Sequence, residues 1–244
     1  MERLQKIIAN RGYCSRRQAE VLIAKGVVKV NGQVVRELGQ SFDSDVEITI
    51  HNKPLNKVND KVYFIFNKPR LVLTTMSDPK DRPTVADYFK GEKQRVYPVG
   101  RLDYDVSGAL LMTNDGDFAN FIMHPRYEFR KTYQALCKGK VTKQQIKNLM
   151  SGVVIDDDYK TKAIYANAIK YDPVYDESIM ELTIAEGRKH HVKKMLIAAD
   201  IYLKKLKRTQ IEFLEIKDLE VGKYRELKPH EVKQFYGIYN SIKK

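Results

Sequence analysis

Cysteine and long apolar runs are both scarce in this chain of 244 residues. The two cysteines, Cys14 and Cys137, are too few to build a disulfide framework or a zinc site by themselves, so we expect reduced thiols that serve packing. No stretch approaches the roughly 18 apolar residues of a membrane-spanning helix. The opening MERLQKIIAN has charged and amide groups where a secretory leader needs an apolar core. We therefore expect a cytoplasmic protein that does not associate with a membrane.

Positive charge, by contrast, is abundant. The chain has 44 Lys and Arg against 31 Asp and Glu, a formal net charge of +13. With 43% hydrophobic residues and ordinary Gly and Pro usage, it is expected to fold around a core rather than to remain disordered. A basic protein suits polyanions. Because many basic proteins bind no nucleic acid, however, the position of the charge matters more than its total.

A polar stretch, HNKPLNKVND at 51–60, separates a small basic unit from a longer mixed one. We accordingly predict two domains, residues 1–58 and residues 59–244. In the small unit, apolar residues recur at helical spacing through the first ten positions. Ser15 and Gln18 fit the capping box of a second helix that ends at Gly26. Asn31-Gly32 between two Val-rich runs is typical of a hairpin turn. The pattern predicts a helix–helix–hairpin module.

The charge of this module is concentrated. Residues 1–36 contain eight basic and two acidic residues, a net charge of +6. Arg16 and Arg17 occupy the first turn of the predicted second helix, where the positive end of the helix dipole disfavours cations. Cations at this place suggest a polyanion that docks on the helix end, although a solvated helix start is the simpler alternative.

Strands and helices alternate in the longer unit. Apolar runs at Val62–Phe66, Ala109–Thr113 and Lys131–Cys137 predict strands, and the spacing of apolar residues over 192–199 and from Pro229 onward predicts helices. Some of the strands are adjacent along the chain and can pair antiparallel. The pattern favours an α+β fold over a doubly wound parallel sheet.

The most informative segment is YPVGRLDYDVSGALLMTNDG at 97–116, a polar loop between two apolar strands. Loops held on a rigid scaffold are where catalytic groups concentrate. By residue type alone, Asp103 or Asp105 beside Arg101 fits either a catalytic loop or a salt-bridged turn. The residues themselves leave both alternatives open.

GRLDYDVSGALLMTNDG resembles the central motif of bacterial ribosomal-RNA pseudouridine synthases of the RsuA/RluB family. The resemblance extends along the chain, through NKP at 67–69, DP…RPTV at 78–85, MHP at 123–125, KTY at 131–133, EGR and HHVKKM within 186–195, LKR at 206–208 and REL at 225–227. The N-terminal unit is similar to the RNA-binding module first seen in small-subunit ribosomal protein S-four. The resemblance implies that module followed by a catalytic domain with a mixed, mostly antiparallel sheet.

The resemblance also implies an activity, the isomerisation of a uridine in ribosomal RNA to pseudouridine, and a role for each matching residue. Asp103 would be the nucleophile, and Arg101 would help to extrude or replace the target base. Tyr133 would stack on the uracil, and it is a candidate for removing a proton. Lys193 would be the basic partner of Asp103. The expected RNA contacts are Arg16, Arg17, Lys25, Lys29, Asn31, Lys68, Arg188, His190, His191 and Lys194.

The chemistry of this reaction is compatible with these residue types. It breaks a C–N bond, turns the base over and forms a C–C bond, so it needs no redox chemistry and no cofactor. It does need an ionised carboxylate in a pocket dry enough to strengthen electrostatic interactions. Burial raises the pKa of an aspartate, and a nearby cation such as Lys193 restores the charged form. The sequence leaves open whether Asp103 attacks the sugar or the base.

Two adjacent histidines mark a departure from the family pattern. His191 stands where the family usually has Gln, so we expect its ring to replace an amide contact to RNA or to the backbone. His190 and His191 together could suggest a metal site. However, neighbours on a helix point about 100° apart, and no third ligand accompanies them. We therefore expect no metal.

A second basic patch covers residues 188–208, with eight basic residues against one acidic residue and a net charge of +7. Two basic patches, one in each unit, are typical of a protein that binds a folded RNA across both units. We expect the partner to be ribosomal RNA or a pre-ribosomal particle. Nothing in the sequence requires more than a monomer.

The target and the activity have competing interpretations. RPTV and MHP resemble the large-subunit (23S) enzymes more than the small-subunit (16S) enzyme, which is the alternative. A non-catalytic ribosome-assembly factor would explain the module and the charge, but it would not need the GRLD motif with Tyr133 and Lys193. A phosphate-handling enzyme is disfavoured because no nucleotide-binding glycine loop is present.

Overall fold

A computed structural model of the chain describes residues 1–56 and 60–243. The chain divides into two compact units. The first consists of residues 1–62 with short pieces at 91–96 and 113–116, and the second holds the rest of the chain. The expected domain limit, between residues 58 and 59, lies outside the described residues.

The first unit has two helices and short strands around one apolar core. The helices are α1 (Leu4–Asn10) and α2 (Arg16–Ala24). The strands are β1 (Glu2–Arg3), β2 (Val28–Val30), β3 (Gln33–Val34), β4 (Ser41–Phe42), β5 (Ile48–Ile50) and β6 (Lys53–Pro54). Strand β1 pairs with β4, and the other four form an antiparallel sheet in the order β3-β2-β5-β6. Both helices and strands β2 and β5 contribute the buried aliphatic side chains.

Local hydrogen bonds explain where these elements begin and turn. Ser15 Oγ accepts the backbone N–H of Gln18 at 3.2 Å, and Gln18 Oε1 accepts the backbone N–H of Ser15 at 3.0 Å. This reciprocal box satisfies two backbone donors at the start of α2. Asn31 and Gly32 both have positive φ, 49° and 82°, as a tight hairpin turn of this type requires. The predicted helix–helix–hairpin order is confirmed.

The second unit is built on one large mixed sheet. Its strands are β7 (Tyr63–Lys68), β8 (Tyr97–Val99), β9 (Val106–Thr113), β10 (Lys131–Lys138), β11 (Val153–Ile155), β12 (Tyr159–Thr161), β13 (Tyr165–Asp172), β14 (Glu177–Ile184), β15 (Tyr202–Ile211), β16 (Leu214–Glu215) and β17 (Tyr224–Glu226). The sheet order is β13-β14-β10-β15-β9-β7-β17, with β16 on β15 and β8 on β9. Strands β11 and β12 form a separate hairpin.

Helices pack against this sheet. They are α3 (Gly116–Met123), α4 (Lys143–Ser151), α5 (His191–Ala198) and α6 (Pro229–Lys243), with 3-10 turns at Val85–Phe89 and Pro125–Tyr127. Phe118 of α3 and Phe235 of α6 meet edge to face at 5.7 Å in a core shared with Ile65 and Leu111. Helix α5 packs against β15 and β11. Its predicted apolar stripe, with Val192, Met195 and Leu196 buried, is confirmed.

Gly108 permits the parallel contact at the centre of the sheet. Strands β9 and β15 run parallel, and Gly108 lies opposite Arg208. A Cβ at Gly108 would lie 2.0 Å from the backbone oxygen of Arg208, and its φ of +109° is disfavoured for residues with a side chain. Only glycine therefore allows the two backbones to approach this closely.

The predicted α+β class with a mostly antiparallel sheet is confirmed, and the differences are local. Asp117, a residue type that is typical of helix caps, lies inside the first turn of α3, because this helix begins at Gly116. The sequence patterns predicted neither the β11–β12 hairpin nor strand β17. These segments are short, and only pairing with distant partners defines them.

The residue types that are scarce in the sequence have plain roles in the fold. Cys14 and Cys137 are both free, and burial raises the pKa of the Cys137 thiol to about 11, as befits an unreactive packing group. Among the residues that the structure describes, no helix has the length and apolar character needed to cross a membrane.

Candidate active site

The loop between β8 and β9 carries the predicted nucleophile, and hydrogen bonds to the segment after β7 hold this loop. The hydroxyl of Thr74 donates to the backbone oxygen of Leu102 at 2.6 Å. Arg70 Nε donates to the backbone oxygen of Asp105 at 3.0 Å. The backbone N–H of Val106 closes a turn onto the oxygen of Asp103 at 3.1 Å. The backbone on both sides of Asp103 is therefore fixed, which positions its carboxylate.

Lys193 of α5 lies between two carboxylates of this loop. Its Nζ is 3.1 Å from Asp103 Oδ2 and 2.6 Å from Asp105 Oδ1. The side chain of Asp103 is 31% exposed and that of Lys193 is 22% exposed, so the pair is accessible but partly shielded from water. The predicted partnership of Asp103 with Lys193 thus exists in the fold, although Lys193 is shared with Asp105.

The charges in this cluster stabilise one another. Burial acts to raise the pKa of Asp105, but the hydrogen bond and charge of Lys193 outweigh it and hold that pKa below its usual value. Burial acts to lower the pKa of Lys193, but its two carboxylate partners raise it above the usual value. Asp105 and Lys193 are therefore both ionised at neutral pH.

A cavity of about 1120 Å³ opens in front of Asp103. Arg101, Tyr133 and Lys193 line it together with Asp103, so the four residues predicted to be catalytic share one cavity. The Arg101 side chain is on the exposed rim, whereas Tyr133 is only 8% exposed. Tyr133 belongs to β10 and lies opposite Leu182 of β14 and Arg208 of β15. The sheet thus forms one wall of the cavity.

Lys68 does not lie where an RNA contact requires it. Its side chain is fully buried, and its ammonium donates to the backbone oxygens of Pro69 and Val72, at 2.8 Å in each case. Burial lowers the pKa of Lys68 to about 8, although the charges of Asp105 and Asp103 act to raise it. The expected RNA contact at Lys68 is therefore corrected. Its hydrogen bonds instead fix the backbone of the segment that follows β7.

His191 is also buried and does not face RNA. Its Nδ1 accepts the backbone N–H of Arg188 at 3.1 Å, so the ring proton is on Nε2, which donates to the Thr161 hydroxyl at 3.0 Å. Burial lowers the pKa of His191 below its usual value, so the ring is neutral at neutral pH. The ring makes the backbone contact that was one of our two alternatives. The expected RNA contact at His191 is corrected, because both nitrogens are engaged.

His190 is positioned differently from its neighbour. It precedes α5 with a left-handed backbone, φ 56°, and its Nε2 lies 3.7 Å from Asp103 Oδ1 on the cavity wall. Across residues 1–56 and 60–243, no cluster of three or more His, Cys, Asp or Glu side chains is arranged to hold a metal ion.

The β11–β12 hairpin contributes a further cavity residue. The guanidinium of Arg188 lies 3.2 Å from the centre of the Tyr159 ring, and the hydroxyl of Tyr159 donates to Glu186. All three residues line the cavity. The sequence patterns did not single out Tyr159, because only this tertiary contact brings it to the site.

The second basic patch is less positive than its sequence suggests. Lys194 pairs with Asp156, Lys204 pairs with Glu177, and Lys193 pairs with the two loop aspartates. Arg208 is buried. The net charge of +7 counted along residues 188–208 is therefore a poor measure of the surface, because acidic partners come from elsewhere in the chain.

The residues expected to contact RNA in the first unit lie mainly on its surface. Arg16, Arg17, Lys25 and Asn31 are exposed, and Lys29 is half-buried. Asn31 also has a structural role, because its Oδ1 accepts the backbone N–H of Glu47 at 3.2 Å.

Family models match both parts of the chain. A model described as "RNA pseudouridylate synthase" matches residues 62–198, and one described as "S4 domain" matches residues 2–48. These ranges correspond to the two motif-bearing regions of the sequence.

Individual proteins match over nearly the full length. The chain is 46% identical over 238 residues to "Ribosomal large subunit pseudouridine synthase B" of Bacillus subtilis, covering 98% of this chain and 97% of the relative. It is 41% identical over 236 residues to an "Uncharacterized RNA pseudouridine synthase" of Aquifex aeolicus, covering 96% and 93%. A solved structure titled "Crystal structure of pseudouridylate synthase" matches with a TM-score of 0.67 and 29% identity, covering 96% of this chain and all of that one.

Proposed function

Because this chain belongs to the RNA pseudouridylate synthase family, we propose that it isomerises a uridine of large-subunit ribosomal RNA, with Asp103 as the nucleophile. One observation carries the assignment of the site. Asp103 Oδ2 lies 3.1 Å from Lys193 Nζ in a cavity that Tyr133 and Arg101 also line. We infer the large-subunit target from the name of the Bacillus subtilis relative.

Asp103 and Lys193 carry the charge requirements of the reaction. A carboxylate is a nucleophile only when ionised, and Lys193 places an opposite charge 3.1 Å from that of Asp103. The hydrogen bonds of Thr74 and the turn onto Asp103 hold the nucleophile in place without help from the substrate. Such preorganisation reduces the rearrangement needed when the reaction begins.

The target uridine has to leave its stack to reach Asp103, which costs a few kcal/mol. Stacking on the Tyr133 ring, worth roughly 1–3 kcal/mol per base, offsets part of this cost. Arg101 on the exposed rim occupies the space that the extruded base leaves. The C–N bond then breaks, the base turns over within the cavity, and the C–C bond between base and sugar forms. These steps use residues of this chain and require no cofactor.

RNA binding divides between the two parts of the sequence. Residues 1–58 act as an RNA-binding domain through Arg16, Arg17, Lys25, Lys29 and Asn31, and residues 59–244 act as the catalytic domain. Arg188 and His190, which line the cavity, contact the RNA there, and Lys194 contacts it outside the cavity lining. The protein acts as a monomer in the cytoplasm, where its ribosomal RNA substrate is made.

Tritium release from RNA tests the activity. Ribosomal RNA transcribed with tritium at C5 of uracil loses the label when C5 forms its bond to the sugar. We expect wild-type protein to release tritium and Asp103→Asn to be at least about 1000-fold slower with unchanged RNA affinity. Asp81→Asn, the same change at an exposed loop position, serves as the matched control and should behave as wild type. Binding without release by the wild type on correctly folded or protein-bound RNA would favour an assembly factor instead.

The choice of ribosomal subunit has its own test. Pseudouridine mapping in cells lacking this protein should show one missing modification in 23S ribosomal RNA. A loss in 16S ribosomal RNA would overturn the large-subunit assignment and leave the activity standing.

A further inference from the structure

Arg208 is a buried cation with an unused hydrogen-bond donor. Its side chain is 4% exposed, and Nε donates to the backbone oxygen of Ala109 at 2.6 Å. Nη2 is buried and has no hydrogen-bond partner among the residues that the structure describes. A buried charged donor without a partner is costly, so its retention indicates a ligand that supplies the acceptor.

The position of Arg208 indicates what that ligand is. Arg208 lines the same cavity as Asp103, and on the sheet it lies directly opposite Tyr133. Residues directly opposite on neighbouring antiparallel strands share a face, with Cβ atoms about 5 Å apart. The guanidinium therefore lies on the sheet side of the cavity, beside the ring proposed to stack on the base. We infer that the ligand group at this place is the flipped base, because the Tyr133 ring proposed to stack on it lies directly opposite Arg208.

Lys131 is a second cation that lines this cavity, whereas Lys68 is buried outside its lining. Burial and then the charge of Arg208 lower the pKa of Lys131 to about 8, and Arg208 also acts on the buried Lys68. Lys131 donates to the backbone oxygen of Phe129 at 2.7 Å, so part of its donor capacity is used within the protein. Arg208 and Lys131 therefore place two cations on the lining of this cavity, which suits a group on which negative charge develops.

We propose that Nη2 of Arg208 donates a hydrogen bond to a carbonyl oxygen of the flipped uracil and stabilises the negative charge that the base acquires during the reaction. Attack of Asp103 at C1′ breaks the C1′–N1 bond and leaves its electron pair on the uracil, shared between N1, O2 and O4. Attack at C6 instead moves the C5–C6 electron pair toward O4, and the C1′–N1 bond then breaks and leaves its electron pair on N1. In both routes C5 then bonds to C1′, Asp103 leaves as a carboxylate, C5 loses its proton and N1 gains one. Arg208 would thus be a further catalytic residue, an inference that rests on the proposed function.

Paired substrates distinguish charge stabilisation from a structural role. Single-turnover conversion of the N-glycoside to a C-glycoside is measured by nucleoside chromatography and mass spectrometry, with uridine or 5-fluorouridine at the target position. Fluorine withdraws electrons and itself stabilises the uracil anion. We expect Arg208→Gln to slow uridine conversion about 100- to 1000-fold with unchanged RNA affinity, and to slow 5-fluorouridine conversion at least about tenfold less.

Control variants complete the experiment. Lys138→Gln removes the same charge from an exposed position on β10 and should match wild type with both substrates. Arg208→Lys keeps the charge but replaces the spread fork of the guanidinium with a single nitrogen, so it should show an intermediate loss with the same dependence on fluorine. If Arg208→Gln shows no thermal unfolding transition and is therefore not folded, Arg208→Lys tests the role of Arg208 in its place.

Three results would overturn the role of Arg208. These are a wild-type rate in either folded variant, an equal slowing of both substrates, or a loss confined to RNA affinity, which would indicate a phosphate contact. Each leaves uridine conversion by the wild type intact, so the proposed function stands. If the wild type converts neither substrate, the proposed function itself fails and the role of Arg208 fails with it.

Discussion

Single side chains around the cavity show how closely charge and burial are balanced. Lys193 contacts two carboxylates, whereas Lys68 donates to two backbone oxygens and interacts with the charges of Asp103 and Asp105 at longer range. A buried ammonium of this kind is tolerated because two of its three N–H groups donate hydrogen bonds, although burial still disfavours its charge. Backbone hydrogen bonds therefore fix the position of Lys68, while its burial lowers the stability of the charged form.

The lowered pKa of Lys68 predicts a specific dependence of stability on pH. The folded chain releases the Lys68 proton near pH 8, whereas the unfolded chain keeps it up to the ordinary value of 10.5. Between these values the unfolded state binds more protons, so the free energy of unfolding rises with pH. Wild type should gain stability relative to Lys68→Met from pH 8 to 10.5, by on the order of 3 kcal/mol.

Urea unfolding at a series of pH values measures this difference. Lys80→Met is the control, because the Lys80 side chain is exposed in the folded chain and its replacement should leave the pH profile of the wild type unchanged. Parallel profiles for wild type and Lys68→Met would contradict the assigned environment of Lys68.

At the scale of elements, the parallel contact of β9 with β15 connects the loop that carries Asp103 to the rest of the sheet. Strand β9 begins three residues after Asp103, and β15 carries Arg208. The hydrogen-bonded register places Gly108 opposite Arg208. The position of the loop therefore depends on how closely two backbones approach at one glycine.

Gly108→Ala should destabilise the protein strongly. The new methyl group would overlap the backbone of Arg208, at 2.0 Å from its oxygen, and the backbone would keep a disfavoured φ. Overlap and strain together predict a loss of roughly 2–6 kcal/mol. Gly237→Ala, on α6 with open space around it, should instead be neutral or slightly stabilising. The midpoint of urea unfolding reports both, and a Gly108→Ala midpoint equal to that of the wild type would refute the close approach.

For the whole molecule, the net charge of +13 is less informative than the place of each cation. Several lysines of the second patch are neutralised by acidic partners that are distant in sequence. Arg16 and Arg17 remain exposed at the start of α2, where backbone N–H groups also face outward. Nonspecific attraction to RNA therefore depends on exposed cations such as Arg16 and Arg17 and not on the net charge of the chain.

Replacing these two arginines should change binding but not chemistry. In Arg16→Gln/Arg17→Gln, the dependence of log Kd on log salt should become shallower by about 1–2, since each phosphate contact contributes about 0.7–0.9. Single-turnover conversion at saturating RNA should stay at the wild-type rate. Lys138→Gln/Lys170→Gln removes equal charge from exposed positions of the sheet and should leave the slope as it is. Identical slopes for the two double variants would argue against a docking role for α2.

The sequence alone determined the features that depend on near neighbours. The Ser15–Gln18 capping box, the Asn31-Gly32 turn and the apolar stripe of α5 each involve residues a few positions apart, so their patterns are visible without the fold. The same holds for the unbroken motif at 97–116, which pointed to the family. Tertiary structure decided that Lys68 and His191 are buried, that Lys193 is shared with Asp105 at a separation of 88 residues, and that Arg208 reaches the cavity. Burial and long-range pairing depend on which strands lie side by side, and no local spacing encodes that.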